Sequence, residues 1–135
     1  MIKTKSSYDK KDNSDGTRIV VSRYYPRGIR KEKFDRWYRE LSPSAKLPKS
    51  FKDGSISQTI FFQFFCKELL GDTKKMELCK DLAIASLRKN ITILCYEKEE
   101  IFCHRYYIKK ICEHQLTKFN KVENSNNKNN RTEYL

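Results

Sequence analysis

The sequence predicts a small α/β domain with a mostly parallel sheet flanked by helices on both faces. Two runs rich in β-branched residues, 17–25 and 91–97, have continuous apolar centres rather than an alternating pattern, which is typical of strands buried on both faces of a sheet. Helix-like segments separate these runs, and strands that alternate with helices favour a parallel sheet. The length of 135 residues fits one domain, expected over residues 1–117.

The N-terminal elements follow from alternation and from turn residues. Residues 2–6 (IKTKS) alternate between apolar and polar side chains and predict a short edge strand. The polar residues 8–16 predict a turn before the first buried strand at 17–25. Pro26 ends that strand, because proline has no backbone N–H for the ladder.

The remaining elements are predicted from apolar side chains that recur every three or four residues. This spacing predicts helices over residues 31–41, 57–70, 72–89 and 103–116. Residues 42–55 carry two prolines and a glycine and are expected to form a loop. Residues 118–135 are polar and rich in asparagine, so they are expected to form a mobile tail.

Charge and hydropathy limit the classes of partner. The net charge is +12, and residues 1–33 hold ten Lys and Arg against four Asp and Glu, a surplus of six. This surplus favours a phosphorylated small molecule, a nucleotide or a nucleic acid as partner. No stretch approaches the roughly 18 apolar residues of a membrane span, and no apolar segment follows the first lysines. A cytoplasmic protein without a membrane partner is expected; the oligomeric state is not predicted.

The five cysteines are expected to be reduced thiols, because their number is odd and three of them lie in helical patterns. The spacing of Cys95, Cys103 and His104 does not match the usual zinc pattern. No metal and no cofactor are therefore expected.

The candidate site follows from the predicted sheet. Ligands of such sheets bind beyond the carboxyl ends of the strands. The two buried strands and the start of the last helix bring a set of chemical groups to that edge: Arg23, Arg27, Gly28, Cys95, Glu97, Cys103, His104 and Arg105. Because the first turn of a helix favours anions, we expect one wall of an anion-binding pocket there.

The arginines have different expected roles. Arg23 lies in an apolar strand, where its charge needs either a carboxylate such as Glu97 or a bound anion. Arg27 and Arg105 are expected to face the ligand, because a guanidinium group matches phosphate with two hydrogen bonds.

Thiol chemistry is a further hypothesis. A helix N-terminus beside His104 and Arg105 favours a thiolate at Cys103, with Cys95 as an inert or resolving partner. His104 is either a general acid or base or a hydrogen-bonding group. The sequence thus leaves three functions open: a phosphate or nucleotide pocket, a basic nucleic-acid-binding module, and a thiol-based redox or sulfur-transfer enzyme. Whether the chain is an enzyme is not predicted.

Three stretches resemble a known family: VSRYYPRGI at 21–29, LSPS at 41–44 after Trp37, and LCYEK at 94–98 followed by CHR at 103–105. Together they resemble the YeaO-like family, domain of unknown function 488, over about residues 1–116. The family pattern usually has Asp where this chain has Ser22. The resemblance implies a small cytosolic α/β protein of prokaryotic type without an assigned activity.

Overall fold

The fold is a four-stranded parallel sheet with four α-helices, seen in a computed structural model that describes residues 1–98 and 103–133, with side chains described up to residue 121. The strands are β1 (Ile2–Ser6), β2 (Thr17–Val20), β3 (Arg36–Trp37) and β4 (Ile91–Cys95). The helices are α1 (Lys46–Lys52), α2 (Gln58–Leu70), α3 (Thr73–Ala85) and α4 (Arg105–Glu133). The strand order is β1-β4-β2-β3.

The predicted α/β class and parallel sheet are confirmed. β4 lies between β1 and β2 and pairs in parallel with both. All five of its residues are buried, which explains why this run is apolar without alternation. β1 forms one edge of the sheet, as its alternating pattern predicts.

Most of the hydrophobic core lies on one face of the sheet. Ile2, Ile19, Ile91 and Ile93 share this face by the strand register. They pack in one cluster with buried residues of all four α-helices, namely Leu47, Phe61, Phe65, Leu69, Cys79, Leu82, Ala83, Ile108 and Cys112. The α-helices therefore cover this face of the sheet.

Residues 7–16 cover the opposite face with a short 3₁₀ helix at Asn13–Asp15. The Asp15 carboxylate is 1% exposed and accepts hydrogen bonds from Arg18 and Lys5. Burial raises the pKa of Asp15, but hydrogen bonds from the Asp12 backbone and from these two cations outweigh burial and hold the pKa below its usual value. Asp15 and Arg18 thus form a buried ion pair.

The helix predicted over 31–41 is wrong. Residues 31–33 and 39–41 form 3₁₀ turns, and β3 lies between them. Asp35 N–H donates to Arg18 O and Tyr38 N–H donates to Val20 O, each at 2.8 Å. The edge of β2 thus offers this segment backbone partners, and its aromatic residues are as compatible with a strand as with a helix.

Other boundaries also differ from the prediction. Residues 46–52 form α1 where a loop was expected, α3 ends at Ala85 rather than near Lys89, and α4 begins at Arg105. The backbone of α4 continues to Glu133, past the predicted end at Leu116. The side chains of the Asn-rich tail after residue 121 lie outside the described part of the chain, so its mobility stays a prediction. No helix in the described ranges has the length and apolar character needed to cross a membrane.

The buried carboxylate predicts a pH-dependent stability. Asp15→Asn removes one partner of a buried ion pair and leaves Arg18 with an uncompensated charge, so we expect the free energy of unfolding at pH 7 to fall by about 3 kcal/mol. Because the folded pKa lies below the unfolded one, the stabilisation is present above about pH 4 and is lost as pH falls through the folded pKa. Urea unfolding at several pH values measures this change.

The matched control is Asp81→Asn, which removes the same charge from an exposed position on α3. It should change the free energy of unfolding by less than about 0.5 kcal/mol. If the difference in the free energy of unfolding between Asp15→Asn and the parent protein stays constant from pH 7 to pH 3, the assignment of Asp15 as the ionised partner of Arg18 is wrong.

Candidate functional site

The carboxyl ends of β2 and β4 are neighbours, and a cleft of about 710 Å³ opens beside them. Six of the predicted site residues line this cleft, namely Arg23, Arg27, Cys95, Glu97, Cys103 and His104. Gly28 and Arg105 do not line it. Gly28 lies in the exposed turn after β2, where its φ of 74° fits glycine and no atom approaches the position of a Cβ.

Two thiols and an imidazole meet at the floor of the cleft. Cys95 is the last residue of β4, and Cys103 and His104 directly precede α4. The two Sγ atoms and a ring nitrogen lie within 4.8 Å of one another. The three residues are 1%, 5% and 8% exposed, so the cluster is shielded from bulk water on most sides.

The imidazole of His104 is held by the backbone of Val21, the residue that directly follows β2. Its Nε2 donates to the carbonyl oxygen of Val21 at 2.8 Å, because a carbonyl can only accept. The other ring nitrogen, Nδ1, lies 3.6 Å from Cys103 Sγ. The ring of Phe65 meets the imidazole edge to face, with centroids 5.8 Å apart. These contacts fix the orientation of the ring.

The pKa values of the two thiols are shifted in opposite directions. A hydrogen bond from Cys95 lowers the pKa of Cys103 to about 4, against the opposing effect of burial, and His104 and the Arg105 N–H contribute to the lowering. Donation of that hydrogen bond, together with burial, raises the pKa of Cys95. Cys103 is therefore the more acidic thiol of the pair. Catalysis by Cys103 and His104 stays a prediction.

Arg105 does not face the ligand, contrary to the prediction. It is fully buried, and its guanidinium donates to Glu97 O at 2.9 Å and Lys98 O at 2.7 Å. The guanidinium also lies 5.1 Å from the ring of Tyr106. The side chain thus ties the end of β4 to the start of α4 and helps to position the thiols.

Arg23 is the cleft-lining arginine with unused hydrogen-bonding capacity. Among the described residues, the Nε atoms of Arg23 and Arg105 are both buried without a hydrogen-bond partner, but of these two side chains Arg23 lines the cleft and Arg105 does not. Among the described residues Arg23 forms no ion pair, so the predicted pair with Glu97 does not form. Glu97 instead acts on its neighbour: burial, together with the charge and hydrogen bonding of Glu97, raises the pKa of Tyr96 to about 12. Arg23 therefore lines the cleft without an ion-pair partner in the described part of the chain.

Several lining residues were missed by the sequence analysis. Tyr8, Phe51, Lys52 and Phe61 contribute aromatic surface and one further cation. Phe51 and Lys52 end α1, which was predicted as a loop; the four-residue spacing of Leu47 and Phe51 is the signal that could have found this helix. Tyr8 comes from the loop after β1, and its hydroxyl donates to Arg27 O at 2.9 Å, a contact that no local pattern indicates.

Fold and site together define a small parallel α/β protein. Its cleft at the carboxyl ends of the strands is lined by thiols, an imidazole and guanidinium groups. The chain belongs to the DUF488 family: the family model described as "Active DUF488-N3 subclade" matches residues 2–116. The chain is also 34% identical over 84 residues to the uncharacterized protein YeaO of Escherichia coli (strain K12), an alignment that covers 61% of this chain and 73% of YeaO. The YeaO-like resemblance is thus confirmed. No solved structure matches the chain significantly.

The structural role of Arg105 predicts a loss of stability on its removal. Arg105→Ala leaves the part-buried carbonyl oxygens of Glu97 and Lys98 without their charged donor, and we expect the free energy of unfolding to fall by about 2 kcal/mol. Urea unfolding measures the change. Arg88→Ala, at an exposed position near the opposite end of β4, is the control and should cost less than about 0.5 kcal/mol. Equal stability of the two variants would contradict this role.

Proposed function

We propose that the cleft binds a phosphorylated small molecule of the nucleotide class, with Arg23 as the central phosphate contact. The observation that carries the proposal is the guanidinium of Arg23, which is half-buried, has an unpartnered buried Nε and has no ion-pair partner among the described residues. Leaving such a donor unsatisfied costs free energy. A bound anion removes this cost.

A second, smaller pocket supports a phosphate subsite. This pocket has a volume of about 310 Å³ and shares Arg23, Ser42 and Pro43 with the large cleft. Arg39 and Lys75 add two cations to its wall, and Glu40 is its acidic residue. Arg23 therefore stands at the junction of a basic pocket and the larger aromatic cleft.

The large cleft supports a ring-bearing ligand. Tyr24, Tyr25 and Tyr96 are exposed by 73%, 39% and 49%, and they line the cleft together with Phe51 and Phe61. Aromatic side chains of this kind stack on nucleobases at about 1–3 kcal/mol per base. A ligand with a base in the large cleft and a phosphate at Arg23 uses both surfaces.

The charge of the cleft favours an anion. Among the residues that the structure describes, Arg23, Arg27 and Lys52 line it and Glu97 is the carboxylate, which gives a surplus of two positive charges. A positive cleft of low polarity attracts anionic ligands and speeds their arrival.

The test is nucleotide binding with and without Arg23. Titration calorimetry against a panel of nucleoside monophosphates and diphosphates should show binding to the parent protein. Arg23→Gln keeps hydrogen-bonding capacity but removes the charge, so affinity should fall by about tenfold to a hundredfold. The matching nucleosides without phosphate should bind both proteins equally weakly.

The control is Arg88→Gln, which removes the same charge far from the cleft and should leave affinity unchanged within about twofold. If nucleosides bind as tightly as nucleotides, or if Arg88→Gln weakens binding as much as Arg23→Gln, the phosphate role of Arg23 is wrong. Absence of binding across the whole panel rejects the nucleotide class.

Oligonucleotide binding is measured in the same experiment, because the chain is basic and Tyr24 and Tyr25 are exposed. Tyr38 is partly buried and packs against the core, so it does not belong to this exposed pair. Binding of single strands that falls steeply with salt while mononucleotides fail to bind would favour the nucleic-acid module over the small-molecule pocket.

A further inference from the structure

The cluster of Cys95, Cys103 and His104 has the donor atoms of a metal site. Two sulfurs and one imidazole nitrogen lie within 4.8 Å of one another. Sulfur and nitrogen donors suit Zn²⁺, whereas Mg²⁺ and Ca²⁺ prefer oxygen. The three ligand atoms themselves include no oxygen, so the cluster favours a thiophilic cation over a hard one.

The distance between the sulfur of Cys103 and the Nδ1 nitrogen of His104 already suits two ligands of one zinc ion. Zn–S bonds of about 2.3 Å and Zn–N bonds of about 2.0–2.1 Å place sulfur and nitrogen about 3.6 Å apart in a regular tetrahedron. Cys103 Sγ and His104 Nδ1 are 3.6 Å apart. The third atom, Cys95 Sγ, lies within 4.8 Å of Cys103 Sγ and of a ring nitrogen of His104, so an approach of this side chain completes a three-ligand face.

The imidazole of His104 makes the kind of hydrogen bond that metal-bound histidines usually make. His104 Nε2–H donates to Val21 O at 2.8 Å, and histidine ligands usually donate their second N–H to a carbonyl or a carboxylate. In the neutral ring this contact leaves the lone pair on Nδ1. That lone pair is the donor that faces Cys103.

The fourth coordination position faces the cleft. Cys95, Cys103 and His104 all line the large cleft, so an ion on their open side meets the space assigned to the ligand. Three protein ligands with an open fourth position are the pattern of catalytic zinc sites, and two Cys with one His is a known ligand set.

We propose that Cys95 Sγ, Cys103 Sγ and His104 Nδ1 bind one Zn²⁺ ion whose fourth position opens into the cleft. The sequence did not indicate this site, because its spacing lacks the short Cys-x₂₋₄-Cys pairs of zinc fingers. The site forms instead from the parallel sheet, which places the end of β4 beside the start of α4. It does not rest on nucleotide binding.

The test is Zn²⁺ titration of the metal-free full chain, with a phosphine reductant and a chromophoric chelator as competitor. The parent protein should bind one equivalent. Cys95→Ser, Cys103→Ser and His104→Gln should each weaken Zn²⁺ affinity at least about tenfold to a hundredfold, because even second-shell changes have effects of that size. Cys66→Ser, a half-buried thiol on α2 outside the cluster, is the matched control and should bind like the parent.

A second measurement, which needs no variant, identifies the protein atoms that coordinate the metal. X-ray absorption of the zinc-loaded parent protein should show two sulfur scatterers with nitrogen or oxygen completing the shell, and Co²⁺ in place of zinc should give thiolate-to-metal charge-transfer bands. A zinc shell without sulfur, no bound equivalent, or equal loss of affinity in Cys66→Ser overturns the proposal. The Arg23→Gln variant should keep full Zn²⁺ affinity, which separates failure of the metal site from failure of the nucleotide proposal.

Discussion

The parallel pairing of β2 with β4 is the constraint on which the rest of the molecule depends. It aligns Thr17 with Ile91 and Val20 with Leu94, and the ladder continues one step further, where Val21 N–H donates to Leu94 O at 2.9 Å. Both strands therefore end at the same edge of the sheet. Without this register the arginine turn after β2 and the thiols around β4 would not share a wall.

The strands and most helices could be predicted because their patterns report burial directly. A continuous apolar run such as 91–95 has one stable place in a small α/β fold, between two other strands. Segment 31–41 could not be predicted in this way, because its aromatic spacing fits a helix while its outcome depends on the open edge of β2. Short elements such as β3 take their structure from a distant partner rather than from their own residues.

The candidate site was predictable in location but not in the role of each residue. Arg23 and Arg105 look alike in sequence, as arginines at the boundary of an apolar element. Arg23 ends half-buried at the cleft, whereas Arg105 is fully buried and donates to the carbonyls of Glu97 and Lys98. Which carbonyls a guanidinium meets depends on the loop conformation, and no spacing rule encodes that conformation.

The hydrogen bond between His104 and Val21 O has a mechanical consequence. Val21 is two residues from Arg23, so the same short piece of main chain carries the guanidinium and anchors the imidazole. A shift of this main chain would move both the Arg23 side chain and the hydrogen-bond acceptor of the ring. The orientation of His104 is thereby tied to the backbone that carries Arg23.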